Sequence, residues 1–338
     1  MSGGLFAVGV AGTALSASER RLLADDPPFG VILFRRNIEA AEQVRELVAT
    51  VKAAGARLVF VDQEGGPVDR LRDLVGPSPS LARAAAAGQA RGAGALAGAA
   101  LAALGIDVDL APVVDRAVPG AGAEVLGERS ASADAGDVVR AAAEFLAGLH
   151  DEGVGGCLKH FPGLGRARLD THLELPVVSE DRHQEALDLA PFDALMGVAR
   201  AVMVSHAADP SGAPSSLSYE RATVMLRDRL GFAGAAFSDD LEMGALAAFG
   251  GLPERSALAC RAGCDLLFVC KTIDAYPDCL AAVAREAPDR RADAAARLEE
   301  YAAHVASLRG ESRRSAPLPL AEIAEGLRRL NDVVGGQS

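Results

Sequence analysis

The sequence has no tryptophan, three tyrosines and an aromatic content of only 4%. A β-sandwich leans on aromatic and β-branched strands, whereas the abundant Ala and Gly here suit close helix contacts against a sheet. Lysine is nearly missing too: Lys52, Lys159 and Lys271 stand alone in a chain that otherwise uses Arg. The net charge is −12, and no basic run breaks the acidic average. Nucleic acid and anionic membrane surfaces are therefore poor partners. The five cysteines (Cys157, Cys260, Cys264, Cys270, Cys279) show no Cys-x-x-Cys pair and no Cys/His spacing typical of zinc. Most lie in apolar runs, so buried, reduced thiols are expected. No apolar run is long and unbroken enough to span a bilayer. The apolar start MSGGLFAVGVAGTALSA has no Lys or Arg before Arg20, unlike a signal peptide with its positive n-region, and a cytoplasmic protein is expected.

What the chain does contain is alternation. Strand-length apolar runs occur at Leu5–Val10, Gly30–Phe34, Arg57–Val61, Asp107–Ala111, Val154–Leu158, Ala201–Ser205, Gly234–Phe237 and Asp265–Val269. Nearly every residue in each is apolar, as in strands buried on both faces. Helical periodicity fills Glu39–Ala54, Ala133–Glu152, Gln184–Val198, Tyr219–Leu230 and Glu254–Ala262, with Ser132 and Ser218 placed as N-caps. Eight strands separated by helices predict an α/β fold, a single (β/α)8 barrel. An open doubly wound sheet is the rival, but no Gly-x-Gly-x-x-Gly turn follows the first strand. The Ala/Gly-rich stretch Leu81–Gly105 reads as a tightly packed helix pair outside the barrel. The catalytic barrel is expected over 1–308. The remainder, 309–338, reads as a linker and a C-terminal helical appendage at about Leu320–Val333.

In such a barrel the active site forms at the C-terminal strand ends. Past the third strand come Asp62-Gln63-Glu64-Gly65-Gly66 and Arg70. Past the fifth come Lys159-His160-Phe161-Pro162-Gly163-Leu164-Gly165 and then Asp170-Thr171-His172. Past the sixth comes His206, and past the seventh Ser238-Asp239-Asp240. Taken singly these have plain explanations: an Asp-Asp caps a following helix, and Gly65-Gly66 makes a turn. Lys159 carries more weight, because an ammonium at the end of a buried strand needs a partner or a ligand.

The segment KHFPGLGRARLDTH fits, position by position, the signature K-H-[F/I]-P-G-x-G-x-x-x-x-D-[S/T]-H. It resembles the β-N-acetylglucosaminidase branch of glycoside hydrolase family three. Further segments resemble the same branch in the same order: GVILFRRNI, VFVDQEGGPVDRLR, VDLAPVVD, LGERS, MVSHAADP, SSLS, GFAGAAFSDDLEMGAL and AGCDLLFVC. The resemblance spans roughly residues 4 to 270. It implies Asp239 as the nucleophile, His172 as the acid/base and Asp170 as the carboxylate paired with it. It also implies that Asp62, Arg70, Arg129, Lys159 and His160 hold the sugar hydroxyls. The chemistry is consistent: a retaining glycosidase needs a carboxylate on one face of the sugar and a proton donor on the other. Histidine titrates near working pH, and a neighbouring carboxylate fixes its tautomer. Three departures from the family pattern, Pro67, Leu164 and Ala131, bear on pocket shape.

The resemblance implies removal of terminal non-reducing β-linked N-acetylglucosamine, as in recycling of cell-wall muropeptides, without cofactor or metal. Glucosidases of the family usually carry the acid/base on a second domain, for which no segment is expected here. A phosphorylase is the close alternative, since a histidine acid that is neutral after donating its proton tolerates phosphate. A non-catalytic sugar-binding barrel would lack Asp239 or His172, and both are present. A metal site at His160, Asp170 and His172 is a weaker alternative, the Asp-x-His spacing being explained by the dyad. The expected partner is the sugar alone, with no nucleic acid or membrane insertion, in a monomer or weak homo-oligomer.

Overall fold

The computed structural model describes residues 3–118, 126–165, 182–208, 211–312 and 316–336. Its main sheet is made of β1 (Phe6–Gly9), β2 (Gly30–Leu33), β3 (Leu58–Val61), β4 (Val108–Asp109), β5 in two pieces (Gly155–Gly156 and Leu158–Phe161), β6 (Ala201–Val204), β7 (Ala235–Asp240) and β8 (Leu266–Val269). All its ladders are parallel, and β1 pairs with both β2 and β8. The two ends of the sheet are the two pieces of β5, separated only by Cys157. The sheet therefore returns on itself as a barrel, with helices between successive strands, as the alternation predicts.

Each strand is short and wholly buried at its centre. Phe60 of β3 meets Phe237 of β7 and Phe268 of β8 edge-on, with ring centroids 5.9 and 5.6 Å apart, and Phe237 and Phe268 meet tilted at 5.9 Å. Tyr301, on the helix Arg291–Glu311, packs edge-on against Phe237 at 5.4 Å and donates to the Gly156 carbonyl at 3.1 Å. These four aromatics form one cluster that fills the barrel. All five cysteines are buried and free. Among the described residues no helix is long and apolar enough to cross a membrane.

Four local expectations change. The Ala/Gly stretch does form two helices, Leu81–Ala86 and Ala90–Leu104, but the close packing is between the second of them and Ala135–Asp151. A Cβ on Gly94 would stand 2.1 Å from the Phe145 carbonyl oxygen, and one on Gly148 would stand 2.3 Å from that of Arg91. Only glycine permits that approach. The helix expected from Ala133 starts at Ala135 because Asp134, not Ser132, is its cap: Asp134 accepts from Asp137 N at 3.0 Å, while Ser132 Oγ accepts from Asp134 N. Ser218 opens the next helix through its backbone carbonyl, which accepts from Ala222 N, and Glu220–Arg229 is wound as a π-helix. The helix Arg291–Glu311 runs past Arg309, where a linker was expected. The last helix, Leu320–Gly335, lies against Ala90–Leu104 and buries Ile323, Leu327, Leu330 and Val334.

Buried acids also occur before strands, where none was singled out. Asp265 accepts from Ala236 N at 2.8 Å, from Arg227 at 2.6 Å and from Arg297 at 2.8 Å. Asp265→Ala leaves both guanidinium groups without that carboxylate. It is expected to lower the unfolding free energy by about 3–5 kcal/mol, read from the urea midpoint at unchanged slope.

Candidate active site

The strands run further at their C-terminal ends than the sequence pattern suggests. Strand β5 continues to Phe161 and β7 to Asp240, so Lys159, His160 and Asp239 are strand residues and not loop residues. Two more groups come from a small antiparallel ribbon, Gln63–Gly65 with Val68–Asp69, that follows β3. Gln63 organises it: its side-chain oxygen accepts from the N–H groups of Arg70 and Leu71, and its amide donates to Asp69 and Ser78. Arg129 arrives on a single helical turn, Gly127–Arg129, which Ser130 anchors by donating to the Asp115 carbonyl at 2.6 Å.

These elements bring Asp62, Arg70, Arg129, Lys159, His160 and Asp239 around one cleft, whose empty volume is about 900 Å³ including its open mouth. Six of the eight residues expected from the sequence thus meet in one place. The other two, Asp170 and His172, lie outside the described residues. So does the completion of the three-residue metal site weighed above.

The electrostatics of the cleft centre on a residue not nominated from the sequence, Glu64. Its carboxylate accepts two hydrogen bonds from Arg129, at 2.7 and 2.9 Å, and pairs with Lys159 at 2.6 Å. Lys159 also donates to Asp62 at 2.7 Å. Burial pushes the Glu64 carboxyl up, but Lys159 and Arg129 outweigh it and hold the group far below the usual carboxylate range. Burial likewise disfavours the Lys159 ammonium, and Asp62 and Glu64 more than reverse that, so the lysine stays charged. His160 is fixed in one tautomer. Its Nε2 lies 3.2 Å from Arg129 Nη2, and a guanidinium can only donate, so Nε2 accepts. The proton is then on Nδ1, which donates to Asp115 at 2.7 Å. Asp115 also accepts from Leu164 N at 2.7 Å.

Asp239 and Asp240 are adjacent yet opposite in behaviour. Burial raises the Asp239 carboxyl, but the neighbouring imidazoles of His206 and His160, the Asp240 N–H and Lys159 together bring it below its usual value. Burial raises Asp240 above its usual value, and its side chain turns to Glu242 N and, at 3.7 Å, to Lys271. His206 steadies this strand end by donating from Nε2 to the Asp240 carbonyl at 2.8 Å. Arg70 also lines the cleft, and its buried Nε has no hydrogen-bond partner among the described residues. Of the three departures, Leu164 lines the cleft, Pro67 is exposed in the ribbon's turn, and Ala131 packs against the core elsewhere. The arrangement offers an ionised carboxylate across from a fixed array of donors and acceptors, which suits a neutral, polyhydroxylated ring.

Glu64, Asp115 and His206 were all in view as sequence, within segments already singled out. What marked them was their place at strand ends; what was missing was any sign of whom they face.

Comparison with known proteins agrees with this geometry. Residues 3–308 match the family model described as the glycosyl hydrolase family 3 N terminal domain. A β-hexosaminidase of Xanthomonas oryzae pv. oryzae is 38% identical over 306 residues, 86% of this chain and 89% of that protein. Native NagZ from Neisseria gonorrhoeae superposes with a TM-score of 0.81 at 29% identity, covering 98% of this chain and 97% of that one. A family 3 β-N-acetylglucosaminidase from Paenibacillus sp. FPU-7 gives 0.87 at 30% identity, over 98% of this chain and 68% of that one.

Proposed function

The chain belongs to glycosyl hydrolase family 3, and from that premise we propose that it is a retaining β-N-acetylhexosaminidase. Its substrate is a terminal, non-reducing β-linked N-acetylglucosamine, with cell-wall muropeptides as the source. The Asp239 carboxylate attacks the anomeric carbon while the bond to the leaving oxygen breaks, and His172 gives that oxygen a proton. The product of this step is an aspartyl ester. Water then attacks the same carbon, gives a proton to His172 and frees Asp239. Asp170 holds the imidazole and stabilises its charged form. Asp62, Arg70, Arg129, Lys159 and His160 grip the sugar hydroxyls.

The observation that carries this reading is the Asp239 carboxylate, held below its usual pKa and lining the same cleft as those five residues. A nucleophile must be ionised, and this one stays so into acid pH.

The test is a panel of p-nitrophenyl β-glycosides (N-acetylglucosaminide, glucoside and xyloside), each assayed with and without phosphate. The N-acetylglucosaminide is expected to exceed the glucoside at least tenfold in kcat/KM, about 1.4 kcal/mol of transition-state binding. Free N-acetylglucosamine should form in either buffer. Release of the sugar 1-phosphate would replace hydrolysis with phosphorolysis, and equal rates on the glucoside would remove the sugar specificity.

A further inference from the structure

Among the aspartates buried in the described residues, four lie close in sequence to barrel strands: Asp107, Asp109, Asp115 and Asp265. Three of them are well supplied with donors. Asp107 accepts from Val59 N at 2.7 Å and Lys52 at 2.9 Å, and pairs with Arg309. Asp265 has Ala236 N and two arginines. Asp115 has the N–H groups of His160 and Leu164 and the imidazole of His160. Among the described residues Asp109 has one donor, Gln63 N, at 2.9 Å from Oδ1, and its Oδ2 has no hydrogen-bond partner.

Asp109 ends β4 beside the cluster of Asp62, Glu64 and Lys159. Two protons of the Lys159 ammonium are already directed at Asp62 and Glu64. An ionised Asp109 would be a third carboxylate near one ammonium, wholly buried and with a single amide donor. That is the costliest state for the group, and burial selects the neutral form in such a place. We propose that Asp109 is kept as a neutral carboxylic acid and acts as a positioning residue, leaving the Lys159 ammonium to Asp62, Glu64 and a bound sugar hydroxyl. The proposal rests on the reading of this cluster as sugar-binding.

Burial, reinforced by the charges of Asp62 and Glu64 and opposed by Gln63 N and Lys159, pushes the Asp109 carboxyl up to about 8. The titratable groups that face it are Asp62 and Glu64 beyond β3, Lys159 and Cys157 on β5, and Tyr301 on Arg291–Glu311. Four of these groups keep their charge state through that range. Burial holds the Cys157 thiol and Tyr301 phenol neutral far above it, Lys159 stays charged, and Glu64 stays ionised. Above pH 8 the Asp109 carboxylate forms, competes for the Lys159 ammonium and repels Asp62 and Glu64. The grip on the sugar then loosens.

Two measurements test this. Infrared difference spectra, with aspartate isotopically labelled, should show a protonated carboxyl at pH 7 that disappears towards pH 9.5 and is absent from Asp109→Asn. If the asparagine variant does not fold, Asp109→Leu supplies the same subtraction. Calorimetric titration with N-acetylglucosamine should show wild-type affinity falling at least threefold from pH 7 to pH 9, while Asp109→Asn stays flat. The product sugar needs no proton transfer, and any contribution from the acid/base is common to wild type and Asp109→Asn and cancels in their comparison. No protonated carboxyl at pH 7, or an Asp109→Asn variant as pH-dependent as wild type, overturns the proposal. Failure of the sugar to bind wild-type protein at pH 7 would instead defeat the sugar-site reading, and the infrared arm would still decide the protonation of Asp109.

Discussion

Asp239→Ala is expected to lower kcat by about 10⁴-fold or more, with the far-ultraviolet circular dichroism of the folded barrel retained. The size follows from the chemistry: removing the nucleophile removes the covalent route, and 10⁴ corresponds to about 5.5 kcal/mol of barrier. Folding should survive because, among the described residues, Asp239 hydrogen-bonds only to the N–H of its own neighbour, Asp240, at 2.8 Å. The deletion leaves no arginine or lysine stranded in a salt bridge, unlike deletion of Asp265. A 2-fluoro or 5-fluoro glycosyl inhibitor should label the Asp239 side chain in the wild-type protein, and peptide mapping by mass spectrometry reads the site. The acid limb of kcat/KM should lie below the range of an ordinary carboxylate, since the Asp239 pKa is lowered in the free protein and the nucleophile is lost only as pH falls through it. Label on Asp240 would reassign the nucleophile. The raised pKa of Asp240 and its ties to Glu242 N and Lys271 argue for Asp239.

His172→Ala is expected to cut kcat/KM by about 10²–10⁴-fold for substrates with alcohol leaving groups, the span of general acid catalysis. For p-nitrophenyl glycosides the loss should be much smaller, because that oxygen departs without full protonation. Equal losses on both would rule against His172 as the acid. Asp170→Ala should act through the histidine. A nearby carboxylate favours the imidazolium and raises its pKa, so its removal should move the basic limb of kcat/KM to lower pH as well as slow the reaction. A basic limb that stays in place would mean that Asp170 is not the partner of His172.

The order of strands and helices was legible in the sequence because each strand of a closed parallel barrel is buried on both faces. Burial of that kind leaves unbroken apolar runs such as Leu58–Val61 and Leu266–Val269. Asp62, Lys159 and Asp239 were legible as site residues for the opposite reason: ionisable groups at the ends of such runs conflict with burial unless something pays for them. The sequence could not show where β5 stops, because Lys159 and His160 look like loop and become strand only when Asp62, Glu64 and Asp115 neutralise or bond them. Nor could it show that Gly94 and Gly148 belong to one helix contact, since they are brought together only when Ala90–Leu104 lies along Ala135–Asp151. Asp62 and Asp109 make the same point within the site. Each is an aspartate at the end of an apolar strand, and along the chain the two are alike. Lys159 donates to one at 2.7 Å, while the other is left, among the described residues, with a single amide donor and an unpartnered oxygen. Charge in a buried site depends on the donors that distant segments supply, and those meet only in the tertiary structure.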